Sequence, residues 1–460
     1  MRKILLVEPD YHNKYPPLGL MKLATFHKER GDEVIFVKGF RKDVGLQIWD
    51  QIYISTLFSF HWNKIMATIK YYSRRVSNPS HLFIGGAMAT VMAEEIENET
   101  GFKPIKGLLN TEGKLGIRKD GIIDSIVPDY SILDQIDYKY PVQDAYFAYA
   151  TRGCVRTCPF CAVHIIEPSY VPYISLKDQI KKIRKKHGDK KDLLLLDNNI
   201  LASPYFERII DEIKDLGFIR GAKLNNKKRH VDFNQGLDLR FLTKRKMQKL
   251  AELPVKPLRI AFDNIMHKDG YIEKIEWAAE CGLVHLSNYI LYNFDDRPED
   301  FYERLLINIE LNERLQTRIF SFPMKYIPIN AKDRKFVGMH WNRRYLRGIQ
   351  CILNATHGVV GPKRKFFQAA FGSDVEEFKR IVLMPDNFIV YRDVHKNNGA
   401  LQWKKLFDLL TSEEKEEFLA IIHKNPKQDI PVSQFQNLNQ LLSLYLKESS
   451  AAAGQKKQIP

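Results

Sequence analysis

The chain has 460 residues, 44% of them hydrophobic, with 71 Lys and Arg against 55 Asp and Glu for a net charge of +16. That length implies two or three domains, and the composition excludes a disordered chain. Five cysteines exclude a disulfide framework, and no apolar run approaches the roughly 18 residues of a membrane span, so a cytoplasmic protein without membrane contact is expected.

In chain order, Met1–Pro9 opens like a secretory leader, but Glu8 and Asp10 end its apolar run after four residues. The same run, Lys3–Val7, suits a buried parallel strand. A loop rich in Tyr and Pro follows, then a helix over Leu18–Arg30 stopped at Gly31. Further strands are expected at Glu33–Val37, Gln51–Thr56 and Leu82–Ile84, the last ending at Gly85-Gly86. Alternating strands and helices of this kind imply right-handed βαβ units and a parallel sheet. From about Gly107 to Gln143 glycines and Pro128 break any long element, which reads as a connection.

The pattern restarts with a strand at Tyr146–Thr151 that runs into a cysteine loop. Strands follow at Asp192–Leu196, Asn234–Leu239, Leu258–Phe262 and Leu286–Tyr292. Helices are expected at Leu176–Lys186, Pro204–Leu216, Lys244–Leu253, Tyr271–Cys281 and Pro298–Glu313. Such repeats suit a full or partial parallel α/β barrel, with the active site at the C-terminal strand ends. Beyond Pro328 the chain becomes helical and basic. Lys325–Phe367 holds ten Lys or Arg and one acid, and Arg220–Lys249 holds ten against two. The expected divisions are 1–140, 141–328, 329–448 and a disordered tail over 449–460.

The cysteine loop reads Thr151-Arg-Gly-Cys154-Val-Arg-Thr-Cys158-Pro-Phe-Cys161. Three thiolates at this spacing, on a loop opened by Gly153, can converge on one site, and a chance group of buried cysteines is the bland alternative. A [4Fe–4S] cluster held by three cysteines keeps one iron open for a substrate or cofactor. Structural zinc, with His164 as fourth ligand, is the competing reading, although zinc sites normally draw on two separated pairs. Such a site would belong to a non-catalytic nucleic-acid-binding protein.

Cys-x-x-x-Cys-x-aromatic-Cys, with Phe160 at the aromatic position, resembles the signature of the radical S-adenosylmethionine superfamily. That resemblance implies a partial (β/α)6 barrel, a [4Fe–4S] cluster on Cys154, Cys158 and Cys161, and S-adenosylmethionine on the open iron. One-electron cleavage then gives methionine and a 5′-deoxyadenosyl radical, with flavodoxin or ferredoxin as electron donor. Asp197-Asn198-Asn199 sits where the family often carries a Gly-Gly-Glu type motif that holds the methionine amine. Arg240 sits where related enzymes pair a basic residue with the carboxylate. The segment through Tyr292 resembles the strand that borders adenine.

Pro16-Pro17-Leu18-Gly19-Leu20 and Gly85-Gly86, within the leading α/β domain, resemble members with a cobalamin-binding-type domain in front. The Asp-x-His-x-x-Gly motif that ligates cobalamin is missing, which puts cobalamin in doubt, although some members bind it without a histidine. Cys281 and Cys351 are too few for a second three-cysteine cluster, and Cys281 is expected in the core at a helix end. For substrate, Arg343, Arg344 and Arg347, with Trp341, Tyr345 and Lys363-Arg364-Lys365, mix phosphate-binding and stacking groups. A nucleic acid or another nucleotide-bearing anion is the expected class.

Overall fold

The computed structural model describes residues 1–116, 121–424 and 430–446. The expected tail over 449–460 lies outside the described residues. The chain forms two compact units, one of residues 1–259, 280–283 and 327–336, the other of residues 260–279, 284–326 and 337–460. These limits divide the chain differently from the domains expected above.

In the first unit, strands β1 (Lys3–Glu8), β2 (Glu33–Lys38), β3 (Gln51–Thr56) and β4 (Leu82–Gly86) form a parallel sheet in the order β2-β1-β3-β4. Ile4 to Val7 are fully buried, as a central parallel strand covered on both faces requires. The helix Leu18–Lys28 connects β1 to β2, and a helix not expected from the sequence, Trp62–Tyr72, leads from β3 toward β4. Its Ile65, Met66, Ile69 and Tyr72 pack with Leu5, Ile52 and Ile84 in one apolar core.

A second parallel sheet in this unit has the order β5-β6-β9, from β5 (Ala145–Ala148), β6 (Asp192–Leu195) and β9 (Val231–Phe233). Helices Leu176–His187 and Phe206–Asp215 accompany it. Between β6 and β9, strands β7 (Lys223–Leu224) and β8 (Lys227–Lys228) make a hairpin, with Asn225 and Asn226 at positive φ in its two-residue turn. The strand expected over Asn234–Leu239 lies earlier, at β9. Gly236 sits at φ +85 and Leu239–Phe241 is a 3-10 turn, so the chain bends where a continuous strand was read. Likewise β10 (Leu258–Arg259) ends before the Phe262 expected from its apolar run.

The second unit contains β11 (His285–Tyr292) and β12 (Arg318–Lys325), paired in parallel and linked by the helix Pro298–Leu315. β12 was not expected. Its apolar residues are interrupted by Ser321 and Pro323, and a proline reads against a strand. The remainder is helical, as expected, from Arg343–Ala355 to Gln436–Leu446. Phe367, Phe371, Phe378, Trp403 and Phe418 fill its core. The fold is thus α/β with parallel sheets and a helical C-terminal region. Among the described residues no helix is long and apolar enough to cross a membrane.

Candidate functional site

The cysteine loop leaves the C-terminal end of β5, where exposed turns in parallel α/β structures carry functional groups. Its ends are pinned together. Arg152 and Val171 exchange backbone hydrogen bonds of 3.0 and 2.9 Å, so Cys154, Cys158 and Cys161 lie on one closed excursion. Within it, Cys161 N–H donates to the Cys158 carbonyl at 3.0 Å. Gly153 opens the loop at φ +71, and a Cβ there would stand 2.4 Å from the Ser169 carbonyl oxygen. Only glycine fits.

None of the three cysteines is in a disulfide, all three are half-buried, and donors point at Cys154 and Cys158. Arg156 N–H lies 3.4 Å and Asn199 Nδ2 3.5 Å from Cys154 Sγ, and Arg240 Nη2 lies 3.9 Å from Cys158 Sγ. Hydrogen bonds to sulfur are among the means by which proteins tune a thiolate-held cluster. Among the described residues no three His, Cys, Asp or Glu side chains are gathered into a metal site.

The residues after β6 converge on the same loop. Asp197 is buried, and its Oδ1 accepts from Ala150 N–H at 2.9 Å, from Thr151 Oγ1 at 2.7 Å and from Thr151 N–H. It thereby ties the end of β6 to the entry of the cysteine loop. Burial pushes its carboxyl up to about 6, and the hydrogen bonds from Thr151 and Ala150 only partly offset that. Its second oxygen, Oδ2, and Asn199 Oδ1 are buried without a hydrogen-bond partner. Buried acceptors without partners are uncommon and call for an explanation such as a ligand. Asn198 instead donates to Glu167 Oε2 at 3.1 Å.

Arg240, expected as a carboxylate partner, grips Asp238 through Nε at 2.7 Å and Nη2 at 2.8 Å while standing beside Cys158. Asp238 also accepts from Asn199 Nδ2 at 3.3 Å. Asp238, Glu167 and Arg152 were not singled out from the sequence. Each lies within two residues of a flagged residue or six past Cys161, but no local pattern distinguishes them from solvated charges. Phe160 is half-buried in the loop.

Tyr292 has a different role from the one expected. It is buried in the core of the second unit, its ring 5.0 Å from that of Phe301 and 5.6 Å from that of Trp341. The basic helix is also corrected. Arg344 is buried, donating to the carbonyls of Val382 (3.1 Å) and Met384 (2.8 Å) and to Asp386 (2.8 Å), so it braces the helical core. Arg347 binds the same Asp386 at 2.6 Å, and Arg364 binds Glu313 at 2.7 Å. Arg343, Lys363 and Lys365 are exposed. Trp341 is a core residue whose indole N–H donates to the Asp296 carbonyl at 2.8 Å. Cys281 is half-buried rather than a core residue, whereas Cys351 is buried and its thiol is pushed up to about 12.

In the first unit, Tyr53, Ser55, Phe83, Gly85 and Gly86 help line a cavity of about 210 Å³ that reaches Arg152. None of its lining residues is a histidine.

The chain is thus a parallel-sheet α/β protein with a thiol triad on the first strand end of its second sheet, and comparison with solved structures bears on that fold. The fold is similar to that of the radical S-adenosylmethionine methyltransferase TsrM from Kitasatospora setae, solved with tryptophan and a S-adenosylmethionine analogue. The two align with a TM-score of 0.51 and 14% identity over 76% of each chain. The cobalamin-dependent S-adenosylmethionine radical enzyme OxsB aligns at 0.45 and 12% identity over 98% of this chain and 75% of its own. SuiB of Streptococcus suis, bound to S-adenosylmethionine, aligns at 0.29 and 12% identity over 41% of this chain and 40% of its own. No protein-family profile and no curated protein matches the sequence.

Proposed function

We propose that this chain is a radical S-adenosylmethionine enzyme. The observation that carries the proposal is the thiol triad, closed off by the Arg152–Val171 pair at the end of β5, with Asn199 after β6 donating toward Cys154 and two buried acceptors, Asp197 Oδ2 and Asn199 Oδ1, left without partners. The likeness to a radical methyltransferase supports the scaffold.

Cys154, Cys158 and Cys161 would hold a [4Fe–4S] cluster, whose open iron supplies the site and the electron for reductive cleavage of S-adenosylmethionine. This chain's own residues do the rest. Asp197 Oδ2 and Asn199 Oδ1 offer acceptors suited to the methionine ammonium, and Arg240, held by Asp238, offers its fork to the carboxylate. Asn199 and Arg240 also place N–H donors near sulfur. Strands β5, β6 and β9 are read as part of a partial (β/α)6 barrel within 141–328, between a Rossmann-like domain over 1–140 and a basic helical domain over 329–448.

The substrate is read as anionic and nucleotide-bearing. Its contacts are the exposed Arg343, Lys363 and Lys365 of the second unit. An electron-donor protein of the flavodoxin or ferredoxin kind completes the system, and a cytoplasmic location follows from that requirement for reduction.

Anaerobic reconstitution with iron and sulfide tests the proposal. The expected product binds four irons per chain and loses them when Cys158 is replaced by Ala. Stoichiometric zinc uptake without iron–sulfur absorbance would instead indicate a structural metal site.

A further inference from the structure

Glu167 follows Cys161 by six residues and belongs to none of the groups expected to touch iron or cofactor. Its carboxylate nevertheless meets both sides of the cysteine loop. Oε2 accepts the Gly153 N–H at 2.6 Å, immediately before Cys154, and the Asn198 side-chain amide at 3.1 Å, on the end of β6. Oε1 lies 3.3 Å from Arg152 Nη1.

Arg152 is 6% exposed, and its guanidinium lies 3.9 Å over the Tyr149 ring. Its other end reaches Asp124 at 3.3 Å, and Asp124 pairs with Lys22 at 2.9 Å on the helix Leu18–Lys28. A chain of alternating charges thus runs from the N-terminal helix to the first peptide of the cysteine loop. Gly153, fixed at φ +71 against Ser169, cannot relax around a lost partner without moving Cys154.

We propose that Glu167 is a positioning residue. It holds the loop entry and the β6 end in one register, so that the three thiols are presented together, and Arg152, Asp124 and Lys22 anchor it. This inference rests on the proposed function for its purpose, but the device itself acts on the protein before any iron is bound.

The test compares wild type with Glu167→Ala, Glu167→Gln and Asn198→Ala. The rate of iodoacetamide alkylation at Cys154, Cys158 and Cys161 in iron-free protein is read by mass spectrometry, with Cys281 and Cys351 as internal references. Loss of one such tie opens a loop by a factor of roughly 5 to 30. Glu167→Ala is expected to raise alkylation of the triad by that factor with the references unchanged, and to lower iron bound on reconstitution. Glu167→Gln keeps one oxygen for Gly153 and Asn198 and is expected to rescue most of the effect. Asn198→Ala, which leaves the buried charges in place, is expected to give a smaller rise and covers the case in which Glu167→Ala does not fold. Unchanged triad alkylation in Glu167→Ala, or in Asn198→Ala if the former is unfolded, overturns the proposal. Failure of wild type to take up an iron–sulfur cluster would sink the functional reading while leaving the alkylation result to judge the loop.

Discussion

Arg240 binds Asp238 through Nε at 2.7 Å and Nη2 at 2.8 Å, and the same Nη2 stands 3.9 Å from Cys158 Sγ. One acid therefore aims a cation at the thiol triad. Arg240 is exposed, so this ion pair contributes less than about 1 kcal/mol to stability. A charge-assisted contact to a cofactor carboxylate is worth more, about 1.5–3 kcal/mol. Arg240→Ala is expected to leave the melting temperature nearly unchanged while raising the KM for S-adenosylmethionine roughly tenfold or more. A fall in melting temperature with KM unchanged would assign Arg240 to structure alone.

Gly153 gives a second test. Alanine there needs a left-handed conformation and meets the Ser169 carbonyl at 2.4 Å. The conformational cost alone is about 1 kcal/mol, and the contact forces the loop entry to shift. Limited proteolysis of Gly153→Ala is expected to cut within 154–168 faster than in wild type, with the β1–β4 sheet still protected. Equal cleavage of the two proteins would show that this backbone position does not govern the loop.

Asp197 makes stability depend on pH. Burial raises its carboxyl from 3.8 to about 6, so the folded chain holds a proton that the unfolded chain has lost between those values. The contribution is fully present below about pH 4 and is lost as pH rises through 6. Its size is on the order of 2–3 kcal/mol. Asp197→Asn removes this slope. Urea midpoints of iron-free protein at pH 4.5 and 7 are expected to fall further for wild type than for the variant; parallel changes would refute the assignment.

Arg343 and Arg344 are neighbours with opposite fates. Arg344→Ala leaves the half-buried Asp386 to Arg347 alone and takes the donor from two carbonyls, and is expected to cost about 1–3 kcal/mol. Arg343→Ala, at an exposed position, is expected to change stability by less than about 0.5 kcal/mol. Chemical denaturation of the two variants checks this directly. If oligonucleotide binding also depends on Arg343 and not on Arg344 at matched folding, the anionic-substrate reading gains its first contact.

These contrasts show how far the sequence was legible. β1, β3 and β6 are continuous apolar runs, and buried parallel strands leave that signature. The cysteine loop was legible because three thiols within eight residues carry chemistry in their spacing. β12 was not, because Pro323 and its basic ends, Arg318 and Lys325, read against a buried strand. Arg344 was read as a substrate contact because the sequence cannot show that two core carbonyls and the half-buried Asp386 await its guanidinium. Tyr292 was likewise assigned by its strand position, whereas the rings of Phe301 and Trp341 claim it. Asp197 and Asn199 lie beside the cysteine loop, and part of Asp197's work is structural. Glu167 and Asp238 were invisible because their partners, Gly153 and Arg240, identify them only once the chain is folded.

The most direct test of the central claim is reductive cleavage. Reconstituted protein, reduced with dithionite under anaerobic conditions and given S-adenosylmethionine, is expected to release 5′-deoxyadenosine and methionine, and the Cys158→Ala protein is expected to release neither. A wild-type protein that carries a full iron–sulfur complement yet yields no more 5′-deoxyadenosine than Cys158→Ala would contradict the account.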